Sequence, residues 1–321
     1  MLRDILARWY PFAEWNKLRA VALFCVWLFV WDDEIDMSEG QFHGDFEKAQ
    51  ANFQSTLEFT RWALGLDSSE SQQPDEEVGE GIPCSTITRG LFGAFGALFR
   101  QDAAQETKER LYREIEFYIG QVAKEHGVNI RRQILSTDDY LDIRLGTSGS
   151  YTLTAFLDYT TSTSIPSFIM ESEEMKSLRY EENIMTILIN DIYSLKKEMV
   201  PKFPSRMPFS LRVNSLQKYG VLTSMLPIEY NASDHKDLSR IMNQTMTRME
   251  QSSKAFDEAA KELKKMARSG RYDDDTIVEG LSSWIANSRT LLTGCLEYHL
   301  KTKRYSMDSY LQSDGTVNLT L

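Results

Sequence analysis

The chain has 321 residues, and its 36 basic and 47 acidic side chains give a net charge of −11 at pH 7. This balance excludes a general attraction to nucleic acid or to an anionic membrane surface, and a hydrophobic content of 42% excludes wholesale disorder. A polyanionic ligand would therefore have to be held locally, by a few placed cations or by metal ions. Only 17 glycines and 8 prolines interrupt the chain, which favours long helices over many short strands.

The three cysteines, Cys25, Cys84 and Cys295, are odd in number and have no C-x-x-C spacing. They predict neither a disulfide framework nor a zinc site, and they indicate a reducing compartment. The longest apolar run, 20–31, has twelve residues and is too short to span a bilayer. Because the N-terminus also lacks the layout of a signal peptide, we expect a cytoplasmic protein without a membrane span.

Helical patterns dominate the chain from its start. The first pattern, 3–36, is interrupted at the Tyr10-Pro11 step, and its second part, 16–36, predicts one long helix whose middle is apolar on nearly all sides. Further helices are predicted over 46–66, 84–99, 105–128, 136–145, 173–198, 236–268 and 273–305. No convincing alternation with a period of two residues appears, so the sequence predicts one all-α domain of roughly ten helices over residues 1–321.

One segment between these helices has a different composition. Residues 67–83 contain six acids, two aliphatic side chains and no aromatic residue. This composition predicts an exposed acidic loop.

The first group of chemically interesting residues is WDDEID, 31–36, at the end of the most apolar helix. Asp32 and Asp36 are four residues apart and therefore lie on one helical face. Four carboxylates within five positions repel one another, and oxygen ligands suit a hard cation such as Mg²⁺. An ordinary solvated helix end is the alternative for this motif taken alone.

The second group is NDIYSLKKE, 190–198. Asn190, Ser194 and Glu198 follow one another at intervals of four residues, so they form one stripe of oxygen donors after an apolar helix interior. This stripe predicts a second hard-cation site, with an ordinary polar face as the alternative. Lys197 lies beside it and could meet a bound anion.

Two further elements complete a pattern. Arg144 precedes Asn190 by 46 residues, and Arg304-Tyr305 follows near the end of the last predicted helix. The order of DDxx(D/E), an upstream arginine, N-D-x-x-S-x-x-K-E and a late Arg-Tyr pair resembles a class I terpene synthase. These elements span residues 32 to 305, and the surrounding sequence looks most like fungal sesquiterpene synthases.

The resemblance implies an α-helical bundle around a deep apolar pocket, with three Mg²⁺ ions, for which Mn²⁺ can substitute. Its implied metal ligands are Asp32, Asp36, Asn190, Ser194 and Glu198. Its implied diphosphate ligands are Arg144, Lys197, Arg304 and Tyr305. The catalytic set that it implies is Asp32, Asn190, Ser194, Glu198, Arg304 and Tyr305. The pocket residues expected from it are Cys25, Val26, Phe29, Thr147 and Tyr298, whereas we expect Trp27, Trp31 and Trp284 in the core.

The sequence departs from the family pattern in two places. Asp32 comes early, which indicates either a short family member or a sequence that is incomplete at its N-terminus. Family members often carry Asp and Gly three and four residues after the arginine, where this chain has Thr147 and Ser148 between Gly146 and Gly149. We therefore expect a helix break there that differs in detail.

The resemblance implies a carbon–oxygen lyase of secondary metabolism, working as a monomer or homodimer. It would ionise and cyclise an allylic prenyl diphosphate, foremost farnesyl diphosphate, to a sesquiterpene hydrocarbon or alcohol with release of diphosphate. A monoterpene or diterpene synthase is one alternative. A chain-elongating prenyltransferase is another, because DDYLD at 138–142 also matches DDxxD, although it is more simply an acidic helix start. A catalytically dead helical scaffold is the third alternative. Separately, none of the four histidines shows the spacing of metal ligands.

Overall fold

A computed structural model describes residues 2–37, 39–67, 75–163, 165–199, 210, 224–269, 275–303, 305, 307–314 and 316. Within these residues the protein is helical and contains no β-strand. The helices are α1 (Leu2–Trp9), α2 (Trp15–Asp36), α3 (Phe46–Ala63), α4 (Glu76–Gly81), α5 (Gly93–Asp102), α6 (Gln105–Arg131), α7 (Thr137–Thr147), α8 (Ser150–Thr154), α9 (Leu157–Thr161), α10 (Ser167–Met170), α11 (Glu173–Met199), α12 (Met225–Ala232), α13 (Leu238–Ser269) and α14 (Asp275–Lys301). A π-helical turn, Thr88–Phe92, precedes α5, and a 3₁₀ turn, Met307–Ser309, follows α14.

Helix α2 runs through the largest hydrophobic core. Its apolar middle places Phe24, Trp27 and Trp31 in full burial, as predicted for the two tryptophans. Trp27 packs edge-on against Phe92 with 4.7 Å between ring centres, and the indole N–H of Trp31 donates to Thr56 of α3 at 3.2 Å. Burial of one such aromatic side chain stabilises the fold by about 2–3 kcal/mol. These contacts fix α2 and therefore the acidic residues at its end.

Among the described residues, eight helices surround this core and form a closed ring, called the helical ring below. Each of α1, α2, α5, α3, α6, α7, α11 and α14 packs on the next, and α14 returns to α1. Helix α8 packs on α6, α7 and α11, and α9 packs on α2 and α14. Trp284 of α14 is fully buried in the same core, as expected. No helix of the described part is long and apolar enough to cross a membrane.

The break between α7 and α8 is present where the sequence predicts it. Gly149 has φ +70°, in the left-handed region that favours glycine, and it begins α8 directly after Ser148. Asn183 of α11 holds the break, because it accepts from the Ser148 hydroxyl at 2.7 Å and donates to the carbonyl of Leu145 at 2.7 Å. The end of α7, which carries Arg144, is therefore tied to α11.

Two expectations about local structure need correction. Residues 67–83 are not a continuous loop, because Glu76–Gly81 forms helix α4, capped by the Asp75 carboxylate. Trp62 packs so closely over Gly79 that this glycine is buried, although the other residues of α4 are exposed as expected. The last long helix ends at Lys301 rather than near residue 305, so Tyr305 lies in the turn that follows it.

Candidate functional site

Carboxylates from α2 and α6 face one another at the end of α2. The hydroxyl of Tyr118 donates to Asp32 at 2.8 Å. Burial, and then the charge of Asp36, raises the pKa of Asp32 to about 7. Asp36 has an exposed side chain, yet desolvation by the surrounding protein and then the charge of Glu125 raise its pKa to about 7 as well. Carboxyl groups held in this way bind protons unusually tightly, and a cation beside them would relieve the same repulsion.

Polar groups from several parts of the chain assemble around Asn190 of α11. The Arg144 guanidinium donates to the amide oxygen of Asn190 at 2.9 Å, and the amide nitrogen lies 3.1 Å from His299 Nε2 and 3.3 Å from the Tyr305 hydroxyl. His299 Nδ1 lies 2.8 Å from the carbonyl oxygen of Cys295, which can only accept. Nδ1 therefore carries the proton and Nε2 is the acceptor, which fixes the orientation of the Asn190 amide.

Arg144 is held from a second direction by Asp191. This aspartate is 1% exposed, and its carboxylate lies 3.9 Å from Arg144 Nε. It also accepts from the hydroxyl of Tyr140 and from the backbone N–H of Met225, at 2.7 and 2.9 Å. A carboxylate bound in this way is a rigid support for a guanidinium.

The charge of Arg144 reaches both groups of residues. It lowers the pKa values of Asp32, Asp36 and Glu125, against the larger effect of burial. At the same time its guanidinium contacts Asn190 directly. The two predicted metal motifs, 158 residues apart in sequence from Asp32 to Asn190, are thus joined by one arginine at one end of the bundle.

Ser194 follows Asn190 by one helical turn. It is 3% exposed, and its hydroxyl has no hydrogen-bond partner among the described residues. A buried hydroxyl left without a partner is uncommon in native proteins and indicates a missing ligand or water. The side chains of Lys197 and Glu198, and all of Arg304, lie outside the described residues.

Among the residues that the structure describes, no three His, Cys, Asp or Glu side chains form a ready-made metal site. The donor set nevertheless fits a hard divalent cation. Asp32 and Asp36 supply carboxylate oxygens, Asn190 supplies an amide oxygen, and Ser194 supplies the hydroxyl without a partner.

Comparison with known protein families gives this geometry a context. The family model described as "Terpene synthase family 2, C-terminal metal binding" matches residues 23–204, more than half of the chain. The chain belongs to this terpene synthase family. The class resemblance inferred from the motifs, the all-α fold and the expectation of an enzyme are therefore confirmed.

Relatives outside the family model agree. The sesquiterpene cyclase hepA of Aspergillus oryzae is 24% identical over 98% of this chain and 78% of its own length. A 4-epi-cubebol synthase of Streptosporangium roseum, named as (2E,6E)-farnesyl diphosphate cyclizing, is 24% identical over 60% of this chain. The match covers 52% of that protein, so the chain spans only about half of some relatives. Germacradien-4-ol synthase from Streptomyces citricolor superposes with a TM-score of 0.70 at 13% identity, covering 94% of this chain and 84% of its own.

The expected pocket residues of this terpene synthase have different environments. Cys25 is buried in the main core, and Val26 and Thr147 are partly buried. Tyr298 packs against that core, with its ring 6.4 Å from the Tyr305 ring. Phe29 has 48% of its surface exposed. Their role in a deep apolar pocket stays a prediction.

The second DDxxD-like sequence lies away from the assembled site. Asp138, Asp139 and Asp142 are exposed at the start of α7, where Ser136 caps the helix by accepting from the backbone N–H of Asp139. Lys124 lies 3.7 Å from Asp142. Asp138 and Asp139 therefore lie in the first turn of α7, in agreement with the interpretation of DDYLD as an acidic helix start.

Sequence reasoning missed several members of the site. Tyr118 and Glu125 are seven residues apart on α6, a spacing that places both on the face toward Asp32 and could have been noticed. His299 was considered only as a metal ligand by spacing, whereas it binds Asn190 as a hydrogen-bond acceptor. No local sequence pattern could predict that contact, because Asn190 and His299 are 109 residues apart in the chain.

Proposed function

We propose that this terpene synthase ionises and cyclises farnesyl diphosphate, releases diphosphate and forms a sesquiterpene. The observation that carries the proposal is the contact of Arg144 with Asn190, because it joins the predicted diphosphate-binding cation to a predicted metal ligand beside the acidic end of α2. The names of hepA and of the 4-epi-cubebol synthase support a C15 substrate. A single terpene synthase domain over residues 1–321 is part of this proposal.

The residues at this end would hold the diphosphate and promote loss of the leaving group. Arg144 and Tyr305, which both contact Asn190, would donate hydrogen bonds to the diphosphate oxygens, and Lys197 and Arg304 would add positive charge. Mg²⁺ bound by the predicted ligands would neutralise the negative charge that develops on the departing group. The predicted ligands for three such ions are Asp32, Asp36, Asn190, Ser194 and Glu198.

The hydrocarbon part would enter the interior of the helical ring. There the chain must exclude water, because water would quench an allylic cation before cyclisation. The aromatic rings of Tyr298 and Tyr305 lie beside the diphosphate end and can stabilise positive charge through their faces without attacking it.

The deciding experiment is a product assay on the purified protein. We would incubate it with geranyl, farnesyl and geranylgeranyl diphosphate in Mg²⁺ buffer, measure diphosphate release and analyse the volatile products. The proposal expects release and cyclic C15 products with farnesyl diphosphate, and their loss when EDTA removes the metal. Preference for the C10 or C20 substrate would replace the substrate assignment.

Two other results would contradict the proposal more deeply. Longer prenyl diphosphates, formed when isopentenyl diphosphate is added, would indicate a chain-elongating enzyme. The exposed positions of Asp138 and Asp142 argue against this outcome. No diphosphate release from any substrate would indicate a helical scaffold without catalysis.

A further inference from the structure

One buried carboxyl group has no place in the site described so far. Glu182 lies on α11 eight residues before Asn190, about 12 Å deeper along the helix. It is 2% exposed. Its Oε1 is 3.5 Å from the Ser150 hydroxyl, and its Oε2 has no hydrogen-bond partner within the described residues.

The fold does not need this carboxyl group. A buried acid without a strong partner costs free energy, and an apolar or amide side chain of similar size would avoid that cost. Glu182 takes part in none of the ion pairs found between described side chains. The charge of Arg179 lowers the pKa of Glu182, but the Arg179 guanidinium donates its hydrogen bond to Glu114, at 2.6 Å.

Groups from several helices face Glu182. Burial raises the pKa of Cys295 on α14 to about 12, with a further contribution from Glu182. Burial, followed by the charges of Cys25 and Glu182, raises the pKa of Tyr10, which lies between α1 and α2. Ser150 approaches from α8. Glu182 is therefore buried between α11 and α8, close enough to Cys295 and Tyr10 for its charge to affect their pKa values.

This environment determines the protonation state. Burial raises the pKa of Glu182 from 4.5 to about 8, although the charge of Arg179 and the Ser150 hydrogen bond oppose the shift. At neutral pH the group consequently holds a proton. Of the two carboxyl oxygens, Oε2 is buried and has no hydrogen-bond partner among the described residues.

We propose that Glu182 is a catalytic proton donor that protonates a neutral cyclic polyene formed within the cyclisation. The proposal rests on the proposed function and adds one step to it: the first carbocation loses a proton to the released diphosphate and becomes a neutral polyene. The acid proton of Glu182 then forms a C–H bond at one alkene carbon, which leaves a carboxylate and a second carbocation. That carbocation loses a proton from a neighbouring carbon to the carboxylate, so a new double bond forms and the acid is restored.

The test combines solvent deuterium with an isosteric variant. Wild type, Glu182→Gln and the control Glu181→Gln are incubated with farnesyl diphosphate and Mg²⁺ in H₂O and in D₂O. Glu181 is the neighbouring, partly exposed acid on α11. Diphosphate release, product identity, deuterium content and melting temperature are measured for each protein.

We expect the wild-type and Glu181→Gln products from D₂O to carry one deuterium on carbon. Glu182→Gln should release diphosphate within about threefold of the wild-type rate, because it lies far from the diphosphate. Its product should be a less cyclised polyene without deuterium.

A wild-type product without deuterium would overturn the proposal, even if Glu182→Gln does not fold. An unchanged product mixture, or deuterium retained, in a folded Glu182→Gln would also overturn it. If the wild type releases no diphosphate from any prenyl substrate, the proposed function itself is refuted. The deuterium result therefore separates failure of the proton donor from failure of the enzyme assignment.

Discussion

The two sides of the site are built on different principles. The α2 side gathers negative charge, since Asp32 and Asp36 have pKa values of about 7 and Glu125 lies close to them. On the α11 side, hydrogen bonds to Arg144 and His299 orient the uncharged amide of Asn190, and the charge of Arg144 is balanced by the buried Asp191.

The difference separates two requirements of a cation site. The α2 side would supply the electrostatic attraction for a cation. Its carboxylates repel one another next to an apolar core that does not screen their charges, and a bound cation would relieve this repulsion. The α11 side supplies geometry, because each hydrogen bond removes freedom from the amide oxygen before any ligand arrives. Arg144 connects the two sides, because its guanidinium contacts Asn190 and its charge lowers the pKa of Asp32.

The largest effect is expected from removing the charge on the α2 side. Asp32→Ala should lower the turnover of farnesyl diphosphate by about 1,000-fold or more, which corresponds to about 4 kcal/mol of lost stabilisation of the leaving group. The melting temperature should stay close to that of the wild type, because burial and the charge of Asp36 disfavour the carboxylate that the substitution removes.

The matched control is Asp138→Ala in the second DDxxD-like sequence. It should retain full turnover, since Asp138 is exposed on α7. Equal loss in both variants would show that the charge on the α2 side has no special role.

Removing the residue that joins the two sides should have the next largest effect. Arg144→Gln is expected to lower kcat/KM by about 100-fold and to weaken the binding of inorganic diphosphate in Mg²⁺ buffer, measured by calorimetry. Arg144→Lys should recover only part of this loss, because an ammonium lacks the fork that reaches Asn190 and Asp191 together. Arg113→Gln on the exposed side of α6 is the control, and diphosphate binding equal in Arg144→Gln and wild type would contradict the assignment.

A smaller effect is expected on the α11 side. His299→Ala removes one hydrogen bond that orients Asn190, so kcat/KM should fall by about 10-fold, within the range of one lost hydrogen bond. His299→Gln offers an acceptor oxygen and should restore part of the activity, whereas a structural role for the ring alone would not allow this. His235→Ala, on an exposed residue, should have no effect. A loss as large as that of Asp32→Ala would erase the distinction between the two sides.

Helices and motif residues could be predicted from local patterns. The predicted α2, 16–36, differs from the observed helix by one residue, because an uninterrupted apolar run has few alternatives. The start of α7 could be predicted, because acids in the first turn of a helix are favoured by its dipole. The short helices α8, α9, α10 and α12 went unpredicted, because segments of four to eight residues carry too little periodicity.

The contacts that complete the site could not be predicted, because they join distant parts of the chain. Tyr118 reaches Asp32 across 86 residues, and His299 reaches Asn190 across 109. Their positions depend on how α6 and α14 pack in the ring, which no single sequence segment specifies. Glu182 could not be predicted either. A single acid in a helical pattern usually faces solvent, and only the tertiary packing shows that this one is buried.

The smallest effect is expected at the break that ties Arg144 to the α11 side. Gly149 has φ +70°, and a Cβ there would lie 3.3 Å from Leu28 Cδ2. Gly149→Ala should therefore lower the free energy of unfolding by about 1 kcal/mol, and turnover should fall only a few-fold because Asn183 still holds α7. Gly120→Ala on α6 is the matched control, since a Cβ there meets open space in a helix, and it should stabilise the protein by about 0.5–1 kcal/mol. Urea unfolding measures both values, and changes of the same sign would contradict a special backbone conformation at Gly149.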